Sequence, residues 1–314
     1  MTAIYLDDEQ VASLLDMPSC IAALEEAFRE EAAGRAAIQP RRRLPFQGRR
    51  FHLMAASMPE KGVLGFKAYG AARGQDVVLY KAGEGIAAFI RSGRLGQMRT
   101  GAASGVATKY MARADASHLG CIGTGHQAET QILAVAQVRK LESISVYGRD
   151  AERRRAFAQK MSDLLEQEVR PVESSAEAIK GRDIVITMTN AAEPVFDGKL
   201  IEPGTHVNAA GGNVRTSREL DETAVTCAGT IAVDDLDTAQ LESGDLAWPI
   251  ERGVLSWEKI VELAPIVAGL YPGRRSDDEI TLFESQGIAL EDVAAANLIY
   301  ERARERGLGT PLPF

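Results

Sequence analysis

The sequence predicts an α/β protein built on a Rossmann-type doubly wound parallel sheet, and three observations carry that expectation. First, a short apolar strand, His118–Ile122, runs into a glycine-rich turn, Gly123-Thr124-Gly125-His126-Gln127-Ala128. An amphipathic helix over 129–141 and a second strand, Ser143–Tyr147, complete a βαβ unit of about 30 residues. Second, the alternation continues through a helix over 150–166, a strand over 169–173, a helix over 175–180 and strands over 183–188, 205–209 and 229–233. Strands alternating with helices predict parallel pairing with helices on both faces. Third, 314 residues of which 45% are hydrophobic are ample for a buried core and for two domains or one large one.

The region before residue 115 reads differently. Over 7–31 a helical pattern places Val11, Leu14 and Leu15 on one face, then Ile21, Leu24, Ala27 and Phe28 after a break at Pro18. Over 39–71 the chain reads as short strands and turns, punctuated by Pro40, Pro45, Gly48 and Gly62. The small-residue stretch over 99–112 reads as a helix packed closely against something, and an alanine-rich helix over 290–306 closes the chain. There are no repeats, low-complexity tracts or Pro/Ser linkers.

Charge and cysteine content narrow the function classes. A formal net charge of −8 argues against broad attraction to nucleic acid or to an anionic membrane. Cys20, Cys121 and Cys227 are far apart and odd in number; they build neither a disulfide framework nor a metal clip and read as small hydrophobes in a reducing compartment. The N-terminus lacks a signal-peptide pattern and no apolar run is long enough to span a bilayer, so the expectation is a cytosolic protein. His52, His118, His126 and His206 show no metal-ligand spacing, and no metal is expected.

The glycine loop points to a dinucleotide. Gly123 permits the tight turn, Gly125 lets backbone amides approach a pyrophosphate, and the helix N-terminus favours its negative charge; Ala128 is small enough for close helix–strand packing. The end of the second strand, where an acidic residue selects NAD and an arginine favours the 2′-phosphate of NADP, reads Tyr147-Gly148-Arg149-Asp150. Arg149 turns the expectation toward NADP(H), with NAD(H) left open, and Asp150 reads as the N-cap of the next helix.

Upstream, Gln39-Pro40-Arg41-Arg42, Gly65-Phe66-Lys67 and Met98-Arg99-Thr100 each set a cation beside glycine, proline or apolar neighbours. Arginine offers a planar fork that matches a carboxylate, and a desolvated lysine near other cations has a lowered pKa suited to proton transfer.

With these residues in hand, the chain resembles the ornithine cyclodeaminase/μ-crystallin family over nearly its whole length. The resemblance is carried by Lys67 in Gly-Phe-Lys, by Arg99-Thr100-Gly101-Ala102-Ala103-Ser104, by the 123–128 loop, and by Gly204-Thr-His-Val-Asn-Ala-Ala-Gly211. It continues in Arg218-Glu-Leu-Asp221, in Glu279-Ile-Thr-Leu-Phe-Glu-Ser-Gln-Gly287 and in Ala289-Leu-Glu-Asp292. The family implies a homodimer, with an α+β substrate and dimerisation domain here expected over 1–115 and 290–314. It also implies a Rossmann domain, here 116–289, and an active site in the cleft between the domains. It further implies hydride transfer to or from the α-carbon of an imino or amino acid. By the same resemblance Arg42, Lys67 and Arg99 would hold the substrate carboxylate, with Lys67 also a proton donor. Gly123, Thr124, Gly125, His126, Gln127 and Ala128 would cradle the pyrophosphate. Thr187, Thr189 and Asn190 would flank the nicotinamide ribose, and the 208–211 strand end, closing on Gly211, would lie under the nicotinamide.

Two departures qualify the resemblance. Where ornithine cyclodeaminase has an aspartate that meets the substrate amine, this chain has Asn213; an amide cannot serve as a base. That favours imine reduction, with amino-acid dehydrogenation in reverse, over ornithine or lysine cyclodeamination. A crystallin-like binding protein with little turnover is the alternative of another class. Secondly, Lys81, Glu84 and Gln286 replace the residues usual at their positions. They read either as loop substitutions without consequence or, with Gly287, as a more polar substrate pocket.

Overall fold

The computed structural model describes residues 2–70 and 74–313. Ala71, the last residue of the expected strand-and-turn region, lies outside them. Two compact units emerge, one of Met1–Ala102 with Gly287–Phe314 and one of Ala103–Gln286. The N-terminal part comprises β1 (Ile4–Leu6), α1 (Asp8–Leu14), α2 (Met17–Ala32), β2 (Ala37–Phe46), β3 (Arg49–Met58), β4 (Val63–Tyr69), β5 (Gln75–Lys81), β6 (Gly85–Arg91) and α3 (Gly93–Met111). The middle comprises β7 (His118–Ile122), α4 (His126–Val138), β8 (Ser143–Tyr147), α5 (Ala151–Leu165), β9 (Val169–Pro171), α6 (Ser175–Ile179), β10 (Ile184–Thr187) and β11 (His206–Ala209). It continues with α7 (Glu222–Thr226), β12 (Thr230–Val233), α8 (Leu236–Glu242), α9 (Gly244–Glu251), β13 (Ile260–Glu262), α10 (Leu263–Val267) and β14 (Thr281–Glu284). Helix α11 (Ala289–Arg306) and strand β15 (Thr310–Pro311) return to the first unit. The division falls inside α3, at 102/103, and again at 286/287, where the sequence places it at 115/116 and 289/290.

The first unit is a seven-stranded sheet in the order β15-β1-β6-β5-β4-β3-β2, with α11 laid against β3 and β4. Pairing from β2 to β6 is antiparallel, so directly opposed residues share a face. On β4 the burial alternates: Val63, Gly65 and Lys67 are buried, whereas Leu64 is exposed. Lys67 therefore points to the helix-covered side and Leu64 to the other. Pro18 does not break a helix; it stands in the first turn of α2, where Asp16 accepts the amide of Ser19 as N-cap. That position tolerates proline because its N–H would have no partner.

The second unit is an eight-stranded sheet in the order β13-β12-β14-β11-β10-β7-β8-β9, parallel at every pairing. Strands β10, β11, β12 and β14 are buried at every residue, as expected of strands covered on both faces. One face packs Ile132 and Val135 of α4 with Phe157 and Met161 of α5; the other packs Ile179 of α6 with Val225 of α7 and Leu246 of α9. Connections diverge from β7 and β10, so the glycine loop that follows β7 sits where a doubly wound sheet binds ligands. Among the described residues, no helix is long and apolar enough to cross a membrane.

Candidate functional site

In the first unit a buried charge cluster gathers residues from four distant segments. Lys67 on β4 donates from Nζ to Asp292 Oδ1 at 3.0 Å. Arg99 on α3 donates from Nη1 to Glu291 Oε2 at 2.7 Å and from Nε to Asp292 Oδ1 at 3.2 Å. Arg41 on β2 donates from Nη2 to the carbonyl of Gly287 at 2.9 Å. All five charged side chains are buried. Burying charge is costly unless it is paired, and here the cations meet the two carboxylates and the Gly287 carbonyl.

The surroundings tune the lysine. Burial pushes the Lys67 ammonium down to about 8; Asp292 resists the shift, and the charges of Arg99 and Arg41 add to it. Arg99 moves the other way: burial opposes its charge, but Asp292 and Glu291 outweigh burial and hold it firmly protonated. The Tyr69 ring lies 5.7 Å from Lys67 Nζ and stacks on His52 at 4.4 Å between centroids. Burial, with Arg43 and Arg41 nearby, lowers the His52 imidazole to about 4, so it stacks as a neutral ring.

Two glycines make room for these side chains. Gly287 has φ +72°, and a Cβ there would stand 2.3 Å from Arg99 Nη1. A Cβ on Gly96 of α3 would come within 2.9 Å of Lys67 Nζ. Gly287, Lys67 and Arg99 are thus brought together.

Arg42 is not. It is exposed, paired across the sheet with Leu53, on the face opposite Lys67. The register shifts between Gln39 and Arg42, so that Pro40 and Arg41 together oppose Met54. Such a bulge re-aims a side chain, and here it turns Arg41 inward to join the cluster. The correction is one residue in sequence and a whole sheet face in space.

Glu84 is also displaced from its expected place. It lies exposed in the hairpin between β5 and β6. Its neighbour Lys81 bonds Asn297 at 3.2 Å and approaches Glu301 at 3.7 Å, well along α11 from Asp292. Hairpin closure, not the cluster, sets the position of both. Gln286 is buried in the second unit, its Nε2 donating to Glu284 and its backbone N–H to Asp234 at 3.0 Å. Asn213 is exposed in the loop after β11.

In the second unit the 123–128 loop has the form a dinucleotide requires. Gly123 has φ +126°, and a Cβ there would lie 2.1 Å from the Met188 carbonyl oxygen, so only glycine makes this turn. Thr124 packs against Gly148, whose missing Cβ would be 2.5 Å from Thr124 Oγ1. Helices α1, α2 and α5 to α9 each begin on an Asp or Ser whose side chain accepts a backbone N–H. Helix α4 begins on Gly125 with no side-chain cap, and open space lies where its Cβ would be. The N-terminus of α4, which opens on this glycine, has the form that suits a pyrophosphate. Ala128 is buried in the core beside β7.

The remaining cofactor candidates divide. Asp150 caps α5, accepting from the Arg153 amide at 3.0 Å, and Arg149 is exposed beside it. Asn190 is exposed and Thr189 half-buried, whereas Thr187 is fully buried and donates its hydroxyl to Glu219 at 3.0 Å. Its hydroxyl is thus bonded inside the protein, which leaves the backbone of the 187–190 turn and its other side chains for any contact with the ribose. Gly211 donates its amide to the same carboxylate at 2.8 Å. His206 is buried between Thr281 and Asn208, and burial lowers it to about 3, consistent with a packing role.

Arg41, Glu291, Asp292 and Glu219 were missed as site residues. The acids stand in the family motifs, but the role of Glu291 and Asp292 is visible only once α11 lies on β4, and that of Glu219 only once β10 and β11 are paired; the place of Arg41 needs the bulge.

Comparison with known proteins agrees with this geometry. The model of the ornithine cyclodeaminase/mu-crystallin family matches residues 2–307. Delta(1)-pyrroline-2-carboxylate reductase of Bacillus cereus is 39% identical over 236 residues, 75% of this chain and 72% of that protein. The solved structure of Thermococcus litoralis Delta(1)-pyrroline-2-carboxylate reductase in complex with NADH and L-proline aligns with a TM-score of 0.93 at 36% identity. It covers 98% of this chain and 100% of that one. An archaeal alanine dehydrogenase dimer with bound NAD aligns with a TM-score of 0.93 at 31% identity over 100% of both chains. From motif, fold and full-length match together, the chain belongs to the ornithine cyclodeaminase/mu-crystallin family.

Proposed function

We propose that this protein is an NAD(P)H-dependent reductase of an α-imino acid that runs in reverse as an amino-acid dehydrogenase. One observation carries the proposal: a buried cluster of two arginines and two carboxylates holds a lysine whose pKa is about 8. The arginine forks orient a substrate carboxylate. The dinucleotide, when bound, supplies or accepts the hydride at the α-carbon. Lys67 gives a proton to the imine nitrogen as that carbon is reduced, and takes it back in the oxidative direction. A donor near pH 8 is matched to that exchange. Asp292, bonded to both Lys67 and Arg99, keeps the ammonium in place and limits how far burial depresses its pKa.

For the cofactor, Arg149 beside an aspartate already committed to capping supports NADP(H) over NAD(H), although the two solved relatives carry NADH and NAD. For assembly, the outer face of the first sheet exposes Leu44, Phe46, Leu53 and Leu64. An apolar face of that kind suits association, and we take it as the surface of a homodimer, in line with the archaeal relative. A cytoplasmic location and a small imino or amino acid as substrate, with no nucleic acid or membrane partner, complete the reading.

The test is an assay of the purified protein with NADPH and NADH against Δ1-pyrroline-2-carboxylate and against pyruvate with ammonia or methylamine, with ornithine tested separately. We expect cofactor oxidation with an imine. Proline formed from ornithine would instead identify a cyclodeaminase, against the evidence of Asn213. Tight cofactor binding without turnover on any of these would identify a binding protein.

A further inference from the structure

Glu219 is a buried carboxylate outside the charge cluster, and it joins two strand ends that are separate in sequence. Its Oε1 accepts the Thr189 amide at 2.6 Å, and its Oε2 accepts the Gly211 amide at 2.8 Å and the Thr187 hydroxyl at 3.0 Å. Thr187 ends β10 and Gly211 follows the end of the adjacent β11. Glu219 is itself anchored, since Asp245 Oδ1 accepts the amides of Glu219 and Leu220, both at 2.8 Å. Contact is close enough that a Cβ on Gly211 would lie 2.6 Å from the Glu219 carboxyl carbon and 2.5 Å from the Thr189 carbonyl oxygen.

We propose that Glu219 is a positioning residue that clamps the two strand ends serving the nicotinamide half of the dinucleotide. This rests on the reading of the chain as a dinucleotide enzyme. Both carboxylate oxygens are spent on the chain, so Glu219 acts through the 187–190 and 208–211 segments. A carboxylate suits the task because it has only acceptors and meets donors from both segments. The adenosine half makes no hydrogen bond to Glu219 among the described residues, and its features, the 123–128 loop and the end of β8, have contacts of their own such as Gly123 N to Tyr147 O at 2.8 Å.

Glu219→Gln tests the clamp. Its amide nitrogen must face either the Thr189 or the Gly211 N–H, donor against donor, so one of the two bonds is lost. Binding of NADPH and of NADH should weaken by about tenfold or more, while binding of ADP, which probes only the adenosine half, should be unchanged. Thr187→Val, which removes one of the three bonds and preserves volume, should weaken the dinucleotides about threefold and spare ADP; it serves if the first variant does not fold. Titrations of both variants and the parent chain decide the matter. Dinucleotide binding equal to the parent's in Thr187→Val and in any folded Glu219→Gln overturns the clamp, as does an equal loss of ADP and dinucleotide, which would mark a general structural role. A parent chain that binds neither NADPH nor NADH overturns the dinucleotide reading itself and the clamp with it.

Discussion

On the proposed reading, the charge cluster of the first unit and the glycine loop of the second each receive an anion, but with different materials. The loop uses backbone: a glycine at φ +126° and a helix, α4, that begins on Gly125 with no side-chain cap. The cluster uses side chains from β2, β4, α3 and α11. A backbone site holds its anion with dipoles that no titration removes. A side-chain site carries net charge, which adjusts with pH and with each partner. The first suits a cofactor that must simply bind, the second a substrate whose proton must move.

That contrast can be broken most severely at Gly287. Gly287→Ala forces a left-handed conformation at a cost of about 1–2 kcal/mol and drives a methyl into Arg99. We expect kcat/KM for the imine to fall about a hundredfold, with dinucleotide binding retained. Arg41 and Arg42 form a matched pair of tests. Arg41→Met should raise the substrate KM by roughly 10- to 100-fold, the worth of a charge-assisted bond, while Arg42→Met should leave it nearly unchanged. The reverse outcome would restore the assignment read from sequence alone.

The pH profile sharpens the comparison further. Lys67 must be protonated to reduce an imine, so reductive kcat/KM should hold below pH 8 and fall about tenfold per unit above it. The oxidative direction needs the neutral amine and should rise through the same pH; the inflection is expected at about 8. Dinucleotide affinity, resting on backbone amides, should not follow that inflection. The smallest effect is expected at exposed Arg149. Arg149→Glu should shift the NADPH:NADH preference several-fold toward NADH, in keeping with about 1 kcal/mol for an exposed charge.

The same contrast explains what the sequence made legible. Strands His118–Ile122 and Ser143–Tyr147 match β7 and β8 residue for residue, because buried parallel strands are short apolar runs with a glycine turn between them. Asp150 as a cap was equally local. Helix α3 begins at Gly93, before the expected 99, since packing overrides the poor helix propensity of Gly93 and Gly96. No strand was expected over 75–91, where β5 and β6 lie; their identity as a hairpin depends on pairing with β4 and with one another. The cluster was half legible: Lys67 and Arg99 by motif, Arg41 only through the bulge. Its carboxylates sat unassigned in a quoted motif until the fold delivered them to Lys67.

Lys67→Met bears most directly on the central claim, that a lysine in a buried charge cluster moves the proton in imine reduction. It removes the proton and keeps the bulk. Measured with NADPH and Δ1-pyrroline-2-carboxylate, kcat should fall by about 10²- to 10⁴-fold, while NADPH affinity, set by the glycine loop, stays close to that of the parent. Retention of most of the turnover by Lys67→Met would contradict the account.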